Sequence, residues 1–456
     1  MIEGLKPYGE YKESGQKWLG SVPAHWDVRR TKLILREVDS RSTTGKEQLL
    51  RVSQYTGVTQ RKAADGSDAP DTRAASLVGY KRVSVNDLVI NIMLAWNGSM
   101  GVSRFDGIAS PAYCVYRLNK GAQPWYFHQL FRLPLYKGRI KAVSTGVIES
   151  RLRLYSDDLG RIEAILPPPD EQAAIVRFLD HANRKIDGFI RAKRKLIGLL
   201  NEQKQAIIHR AVTRGLHPKH WEVPRVKQCA RKISKGTTPS TEGRAILESG
   251  PVRFLKAENI SAGCITNKPL CFIDEETNRV IRRSQLAEND ILFVIAGATL
   301  GKTAVVSGEI LPANTNQAVA FIRPNSRVVP RFLELWLQSP RIKELIWLNA
   351  VQSAQPNLSM ADLGNFVTPV PPRNEQQQIL DFVKEATKPM SDAIARTERE
   401  IALMQEYRTR LTADLVTGKL DVREAAAKLP DLPTDTAAEP LTDEAPDDTE
   451  TEEAEA

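Results

Sequence analysis

Few residues of this 456-residue chain have the types and spacing that catalysis requires. The segment Gly297–Thr303 (GATLGKT) resembles a phosphate-binding loop, but three residues separate its first glycine from Gly301-Lys302, where a P-loop has four. A tight turn between strands is the simpler interpretation. The six histidines and four cysteines form neither an HExxH motif nor a zinc pattern, and there is no GxSxG elbow. The sequence therefore predicts no covalent chemistry on this chain and no bound metal or cofactor.

Polar and basic loops recur in both halves of the chain. Asn and Gln side chains can read adenine edges, and Arg and Lys can bind guanine edges or phosphates. Any one such loop is also typical of a solvated turn. The predicted DNA-contacting residues are Gln54, Tyr55, Arg61, Lys62, Asn97, Thr145, Arg151 and Arg153 in the first half, and Lys235, Thr237, Thr238, Lys302, Asn316, Gln317, Gln352 and Gln355 in the second half.

The charge distribution indicates a polyanionic partner. The chain has a net charge of +9, but residues 429–456 contain 11 acidic residues and no basic ones. Because this tail contributes −11, residues 1–428 have a net charge of +20. A body this basic favours nucleic acid as the partner. The acidic tail cannot bury enough apolar surface to fold, so we predict that residues 424–456 are disordered.

The composition also suggests where the protein works. No apolar run approaches the roughly 20 residues needed to span a bilayer. The four cysteines show no disulfide-framework spacing, which is typical of buried thiols in a reducing cytoplasm. We therefore expect a cytoplasmic protein.

A repeat organises the chain. Residues 166–175 (LPPPDEQAAI) and 370–379 (VPPRNEQQQI) align at an offset of 204, and the same offset relates Leu159-Gly160 to Leu363-Gly364. Each copy follows a block that begins near a His/Trp pair, His25-Trp26 or His220-Trp221. An internal repeat of this size predicts two similar surfaces in one chain.

Each copy of the motif predicts the start of a long helix. The prolines end a strand-like segment (162–166 and 366–370), and Asp170 and Asn374 stand where an N-cap is needed. Gly215 and Gly418 are the expected C-cap residues. Pro389 is expected to break the second helix.

Both helical stretches carry apolar residues with a period of about 3.5, which is typical of a coiled-coil seam. The first seam is Ile175, Leu179, Ala182, Ile186, Phe189, Leu196, Leu200 and Ile207, with polar Lys193 and Gln203 at two further seam positions. The second seam is Ile379, Val383, Ala386, Met390, Ala393, Met404, Tyr407 and Leu411. Two seams in one chain most simply pack on each other, antiparallel. An ordinary helical hairpin and a molecular ruler fit this periodicity equally well.

The blocks before the two helices are predicted to be mixed α/β. Their strand-like runs are 87–94, 113–118, 291–296, 303–306 and 318–323, and each block has a late apolar helical segment, 124–135 or 330–348.

With these features, the chain resembles the DNA specificity subunits of type I restriction–modification enzymes. The resemblance lies in residues 6–30, in residues 217–240 with their Gly-Thr-Thr-Pro-Ser turn, in the doubled Pro-Pro-x-x-Glu-Gln motif, and in the helix ends near Gly215 and Gly418. It spans about residues 6–423, although the Lys-Gly-Thr-Thr-Pro-Ser turn has no clear counterpart near residues 36–45.

The resemblance implies an architecture and a set of partners. Target recognition domains at 1–165 and 216–369 would each read one half of a bipartite, asymmetric DNA site. Helical regions at 166–215 and 370–423 would set the spacer in a circular, pseudo-twofold arrangement. They would also dock two methyltransferase subunits that bring S-adenosylmethionine, through which restriction subunits that use ATP and Mg²⁺ join. The implied docking and ruler residues are Glu171, Gln172, Ile175, Leu179, Ile186, Leu200, Glu375, Gln376, Ile379, Val383, Met404 and Leu411.

Two other hypotheses remain open on the sequence alone. One is a nucleotide-dependent DNA enzyme that uses Gly301-Lys302-Thr303. The other is a coiled-coil adaptor with incidental positive charge, which would show no sequence preference and a weak dependence of binding on salt.

Overall fold

The structure is a computed structural model that describes residues 5–61, 74, 76–148, 151–215, 221–261, 263–350 and 357–430. The chain divides into two compact units: unit 1 comprises residues 1–193 and 399–456, and unit 2 comprises residues 194–398. Each unit therefore contains one globule together with part of each long helix. The boundaries predicted at 165, 215, 369 and 423 do not coincide with this division, because the helices pack onto the globules.

Both units contain strands and helices, which confirms the mixed α/β class. The strands of unit 1 are β1 (Tyr11–Glu13), β2 (Ser21–Pro23), β3 (Asp27–Arg30), β4 (Leu35–Glu37), β5 (Leu50–Ser53), β6 (Gly57–Gln60), β7 (Lys81–Val83), β8 (Leu88–Asn91), β9 (Met100–Val102), β10 (Gly107–Ala109), β11 (Tyr113–Leu118) and β12 (Glu163–Leu166). Those of unit 2 are β13 (Ala230–Lys235), β14 (Val252–Leu255), β15 (Ile260–Ser261), β16 (Cys264–Ile265), β17 (Phe272–Ile273), β18 (Ile291–Val294), β19 (Thr303–Val305), β20 (Ala313–Thr315) and β21 (Val319–Pro324). The helices are α1 (Pro124–Arg132), α2 (Pro134–Val143), α3 (Ser156–Arg161), α4 (Pro169–Arg214), α5 (Glu275–Val280), α6 (Pro330–Leu337), α7 (Pro340–Ala350), α8 (Met360–Asn365), α9 (Arg373–Val416) and α10 (Arg423–Ala427).

Each unit contains its own four-stranded antiparallel sheet, and the two sheets have the same arrangement of strands. The strand order is β4-β11-β8-β9 in unit 1 and β13-β21-β18-β19 in unit 2. The inner strands β8 and β18 are buried along their whole length, which explains their continuous apolar sequences. Between the first two sheet strands in the sequence, each unit has a different insert: the β5–β6 hairpin and β7 in unit 1, and β14–β17 with α5 in unit 2. The repeat is thus a common scaffold with unlike inserts.

The late apolar segments pack against these sheets. Each one forms two helices, α1 with α2 and α6 with α7, because Pro134 and Pro340 cannot continue the preceding helix. Phe127 and Phe131 of α1 join the core that includes Ile90 of β8. The strand predicted at 366–370 is reduced to isolated pairings of Val367 and Val370 with the segment that precedes β13.

The long helices begin two residues earlier than predicted. Pro169 and Arg373 are their first residues, so Asp170 and Asn374 lie in the first turn and are not N-caps. Proline is favoured at the first helical position because its missing N–H is unpaired there in any residue. Both predicted C-cap glycines are confirmed: Gly215 and Gly418 have φ angles of 69° and 78°.

The glutamine of the doubled motif joins each long helix to its globule. The Gln172 side chain accepts a hydrogen bond from the Gln123 backbone N–H (2.8 Å), next to the start of α1, and donates to the Pro167 carbonyl (2.8 Å). The Gln376 side chain accepts from the Val329 N–H (2.7 Å), next to the start of α6, and donates to the Pro371 carbonyl (2.8 Å). Both glutamines are fully buried.

The two glutamates of the motif have less similar surroundings. Glu171 accepts hydrogen bonds from Trp26 Nε1 (2.7 Å) and Tyr8 Oη (3.1 Å), and lies 2.6 Å from His25 Nε2. In unit 2 the side chain of Glu375 is also buried, and a Cβ atom at Gly215 would lie 3.3 Å from its Oε1. All four motif side chains therefore belong to the interior of their units.

The apolar stripe of α9 agrees with the predicted seam, whereas that of α4 differs in its middle. Ile175, Leu179 and Ile186 are buried, but Phe189 and Leu196 are exposed, and Ile190 is buried instead. The inward stripe continues through the partly buried residues Lys193, Ile197, Leu200 and Lys204. Ile190 and Ile197 therefore take the inward positions predicted for Phe189 and Leu196, one residue later in the sequence, whereas Lys193 lies on the stripe as the heptad pattern predicted. On α9, Ile379, Val383 and Leu411 are buried and Met404 is partly buried.

Contacts between α4 and α9 occur inside each unit. In unit 1, Lys193 Nζ lies 2.6 Å from Glu400 Oε2, and Asp187 pairs with Arg408. The partner number rises as the α4 number falls, so these two segments run antiparallel. In unit 2, Lys204 Nζ donates a hydrogen bond to Ser391 Oγ (3.0 Å).

Pro389 does not break α9, which is continuous over its 44 residues. A proline removes one N–H from the hydrogen-bond ladder of a helix. Around it, the Thr387 hydroxyl donates to the Val383 carbonyl (2.7 Å), and Ser391 donates to the Thr387 carbonyl (3.1 Å). The expected interruption was therefore wrong.

The predicted disordered tail begins too early. Residues 423–427 form α10, and Ala426 is buried in the core of unit 1. The remainder of the tail, from residue 431, lies outside the described residues.

Replacing the buried glutamine of unit 2 tests its structural role. Gln376→Ala removes hydrogen bonds at the start of α6 and leaves the buried Val329 N–H without an acceptor. We therefore expect a loss of about 2–4 kcal/mol in the free energy of unfolding. The adjacent Gln377 is exposed, and Gln377→Ala should change it by less than about 0.5 kcal/mol. Urea unfolding followed by tryptophan fluorescence measures both. Equal effects would show that Gln376 has no special role.

Candidate nucleic-acid interface

The sheet of unit 1 brings several predicted residues to one edge. Because its strands are antiparallel, the end of β8 and the starts of β9 and β11 lie on the same side. The turn 92–99 between β8 and β9 carries Asn97. Leu154 donates its N–H to the Ile92 carbonyl (2.9 Å), which holds the segment 145–153 beside that turn. We call the turns at 53–56, 92–99 and 145–153 the first loop edge, within which residues 149–150 are not described.

The β5–β6 hairpin turn completes the first loop edge. It contains Gln54 and Tyr55, and the Tyr55 side chain is 58% exposed. Thr145 and Arg153 exchange two backbone hydrogen bonds of 2.9 Å, and both side chains are exposed, as is that of Arg151. Arg61 lies at the opposite end of the hairpin, so the structure does not bring it to this edge. Lys62 is outside the described residues.

The equivalent side of the unit 2 sheet also collects predicted residues. The end of β13 leads into Lys235–Thr238, which lies against the segment before β21: Gly236 donates to the Val319 carbonyl and Thr237 to the Thr315 carbonyl, both at 2.9 Å. A Cβ atom at Gly236 would collide with the Asn316 carbonyl, so this close approach requires glycine. We call the segments 235–238, 295–302 and 315–318 the second loop edge.

Side chains of the second loop edge are polar and accessible. Lys235, Lys302 and Gln317 are exposed, and Thr237, Thr238 and Asn316 are partly exposed. The Oδ1 atom of Asn316 is buried and accepts no hydrogen bond within the described part of the chain. Gln352 and Gln355 lie outside the described residues; Asn357, which follows them, pairs with Ala296 at this edge.

The sequence reasoning missed Arg132, which lies behind the first loop edge. Its Nη1 donates to the carbonyls of Ser53 (3.3 Å), Gly98 (3.1 Å) and Met100 (2.6 Å), and its Nη2 donates to those of Gln54 and Tyr55 (2.8 Å each). Burial lowers the pKa of Arg132 to about 10. No sequence signal identifies it, because its partners are backbone atoms of distant segments.

His128, one turn earlier on α1, is partly buried. Its Nδ1 accepts a hydrogen bond from the Val102 N–H (3.1 Å), and its ring lies 5.1 Å from that of Trp125. Burial, with Arg132 and Arg104 nearby, lowers the pKa of His128 to about 3. The imidazole is therefore neutral at physiological pH and acts as a structural acceptor.

Unit 2 has different chemistry at the corresponding place. Glu334 of α6 and Gln338, the residue that follows this helix, have the same spacing as His128 and Arg132 of α1. The Thr303 hydroxyl donates to Glu334 Oε1 (2.8 Å), and Gln338 Nε2 donates to the Thr303 hydroxyl (3.0 Å). Burial raises the pKa of Glu334, and Arg331 opposes the shift.

This arrangement gives no support to a phosphate loop at 301–303. Thr303 is fully buried within β19, and its hydroxyl is bonded to a carboxylate, which would repel a phosphate group. Among the residues that the structure describes, no three His, Cys, Asp or Glu side chains cluster as metal ligands. No helix in the described ranges is long and apolar enough to cross a membrane.

Comparisons with known proteins agree with the sequence resemblance. The profile of the type I restriction modification DNA specificity domain matches residues 218–402. The type I restriction enzyme EcoBI specificity subunit of Escherichia coli is 26% identical over 356 residues, which cover 69% of this chain and 72% of the relative. The MjaIX specificity subunit of Methanocaldococcus jannaschii is 22% identical over 446 residues, which cover 91% of this chain and 97% of the relative.

A solved structure supports the fold. A chain from a study of complex assembly and conformational transition of a type I R-M system superimposes with a TM-score of 0.62 at 15% identity, covering 87% of this chain and 98% of that chain. Fold and relatives together define the class: a DNA-recognition component without catalytic chemistry of its own. Within that class, the chain is similar to the specificity subunits of type I restriction–modification systems.

The neutral His128 predicts a dependence of stability on pH. Below pH 6.5 the unfolded chain takes up a proton at this imidazole, whereas the folded chain does so only near pH 3. Because the unfolded state binds more protons, this group lowers stability as pH falls, by up to about 1.4 kcal/mol per pH unit between about pH 6 and pH 4.

NMR measures this directly, since the His128 ring resonances should not titrate between about pH 7 and pH 4.5. In His128→Asn, the corresponding part of the slope of unfolding free energy against pH should disappear. A His128 that titrates near pH 6 would contradict the prediction.

Proposed function

We propose that each unit reads one half of a bipartite, asymmetric DNA site through its loop edge. The strongest support is that both units contain the same kind of sheet, and that in each unit polar loops gather at the same edge of the sheet. The loops differ in sequence between the two units. A common scaffold with unlike loops suits two different half-sites. The loops supply Gln, Asn, Thr, Arg and Lys side chains, which are the types that read base edges and bind phosphates.

Charge supplies the affinity in this proposal. The net charge of +20 on residues 1–428 attracts the phosphate backbone without regard to sequence. The exposed Lys235 and Lys302 in unit 2 and Arg151 and Arg153 in unit 1 add positive charge at the loop edges. An adaptor with incidental charge would bind all DNA sequences alike. Discrimination between bases therefore distinguishes the specificity-subunit hypothesis from the adaptor hypothesis.

The long helices are proposed to act as an antiparallel coiled coil that fixes the spacer. The 46 residues of α4 correspond to roughly 69 Å of helix. A pair of this length could hold two reading surfaces about one DNA turn, roughly 34 Å, apart. The α4–α9 contacts found inside each unit support this role, and the circular, pseudo-twofold layout is part of the proposal.

The same helices are proposed to dock two methyltransferase subunits. Leu199 of α4 and Leu403 of α9 are related by the offset of 204 and are 53% and 64% exposed. Two equivalent exposed leucines suit two copies of one partner. The buried seam residues stabilise the helix pair from within, so exposed positions must form the docking surface.

In this proposal the small-molecule chemistry lies on other subunits, in the cytoplasm. S-adenosylmethionine would bind the methyltransferase subunits, and ATP with Mg²⁺ would bind restriction subunits that join through them. This chain would hold neither group.

Substitutions in the loop edges test the reading of half-sites. In the complex with its methyltransferase subunits, Tyr55→Ala should relax discrimination at one half-site and Gln317→Ala at the other, each by about 1–3 kcal/mol. Binding to duplexes altered in one half at a time measures this. Gln377→Ala, on the exposed face of α9, is the control and should change neither half. A loss of discrimination at the same half-site in both variants would refute two-part reading.

Lengthening the helix pair tests the spacer role. Four residues inserted after Gln203 and four after Ser391, which faces Lys204, should add about 6 Å and about 40° of rotation, close to the twist of one base pair. We expect unchanged half-sites and a spacer longer by one or two base pairs, seen by mapping methylated bases in host DNA. Insertion after Gln203 alone is the control and should abolish methylation. Altered half-sites would exclude a ruler.

Docking is tested by charge insertion on the exposed leucines. Leu199→Glu and Leu403→Glu should each leave one methyltransferase subunit per chain, and the double variant none, as measured by native mass spectrometry. Gln203→Glu is the control for added charge on an exposed helical position. Two bound subunits in the double variant would place docking elsewhere.

A further inference from the structure

We infer that Arg132 is the positioning residue of the first loop edge, holding the β5–β6 turn and the β8–β9 turn in one fixed arrangement for contact with DNA. This inference rests on the proposed function of that edge. Arg132 itself does not touch the ligand in this proposal. It acts through the two turns whose carbonyls it binds.

The hydrogen bonds of Arg132 hold the two turns together. One guanidinium bonds the consecutive carbonyls of the hairpin turn, Ser53 to Tyr55, and also the Gly98 and Met100 carbonyls beside the other turn. These segments are about 40 residues apart in sequence. A Cβ atom at Gly57 would lie 3.7 Å from Arg132 Nη1 and from the Gly101 Cα, so the two segments meet closely at this point.

Arginine is the side chain that can make this clamp. Its planar guanidinium presents several N–H donors in a rigid fork and remains charged, whereas lysine offers one nitrogen at the end of a flexible chain. In the described part of the chain, the partners of Arg132 are carbonyls and it forms no ion pair. Even partial burial of a cation without a carboxylate partner is unfavourable, and Arg132 is partly buried. Arg132 is therefore better explained by a role in positioning the two turns than by a contribution to folding stability.

A second cation supports the same turn. Lys137 Nζ donates to the Asn97 carbonyl (3.3 Å) and packs against Gly98, whose φ of 99° lies in the left-handed region. The backbone carbonyls of this turn therefore face inward to α1 and α2. The turn that carries Asn97 is held from behind by two cations on successive helices.

The equivalent position in unit 2 provides an internal comparison. Gln338 bonds Thr303 and Glu334, both inside its own scaffold, and its side chain bonds no carbonyl of the second loop edge among the described residues. The clamp is thus a property of unit 1. Loss of Arg132 should affect one half-site and leave the other unchanged.

The test uses the complete complex with its methyltransferase subunits. Arg132→Met should weaken binding to the full site by about 30-fold or more, a loss comparable to that of a base-reading contact. The loss should disappear when the half-site read by unit 1, identified with Tyr55→Ala, is already scrambled. Binding to unrelated duplex should change by less than about threefold. Arg36→Met, which removes an equal charge from an exposed position of β4, is the control and should bind the full site normally.

A second variant and a second readout keep the test decisive if Arg132→Met does not assemble. Arg132→Lys retains the charge but cannot hold both turns, so it should also lose affinity for that half-site. Amide hydrogen exchange in the complex should rise at residues 53–57 and 97–101 and stay unchanged in β8 and β11. Full affinity in Arg132→Lys, or an equal loss at both half-sites, would overturn the positioning role while leaving two-part reading intact. Failure of the Tyr55 and Gln317 variants to separate the half-sites would instead overturn the proposed function.

Discussion

The buried glutamine of the doubled motif is the interaction on which the rest of the architecture depends. Gln172 and Gln376 each bond the backbone at the start of α1 or α6 and the proline carbonyl that precedes a long helix. An amide side chain with both of its ends satisfied in the interior fixes the direction of the helix relative to its globule. Any role of α4 and α9 as a spacer requires this fixed direction, since a helix free to pivot would define no distance.

The antiparallel sheet provides the second constraint. Because its four strands alternate in direction, the turn after β8 or β18 and the segment before β11 or β21 come to one side. Loops far apart in sequence are thereby collected without any contact between their side chains. The core needs only the buried strands and the two helices behind them, so the loops are free to differ. This separation of scaffold from loops would allow two units of one fold to read unlike half-sites, as we propose.

Behind the loops, the two units use opposite chemistry at equivalent positions. Unit 1 has the neutral His128 and the cationic Arg132, and unit 2 has Glu334 with Gln338. Each set satisfies its own backbone or hydroxyl partners. Sequence comparison of the two halves does not reveal this, because the partners of Arg132 are carbonyls, which every residue possesses. Hydrogen bonds to backbone atoms do not constrain the residue types of the partner segment.

The sequence alone determined the repeat, the basic body, the helix-ending glycines, the family resemblance and the strands β8, β11, β12, β18, β19 and β21, because these depend on local spacing, composition and propensity. It misjudged Pro389, the N-cap positions and the middle of the α4 seam at Phe189 and Leu196, where tertiary packing and helix phase decide the outcome. Only the tertiary structure decided that the motif residues are interior, that Arg61 lies away from the first loop edge, and that Arg132 joins two turns. These outcomes depend on which distant segments come into contact. Local residue patterns do not encode such contacts when one of the two partners is the backbone.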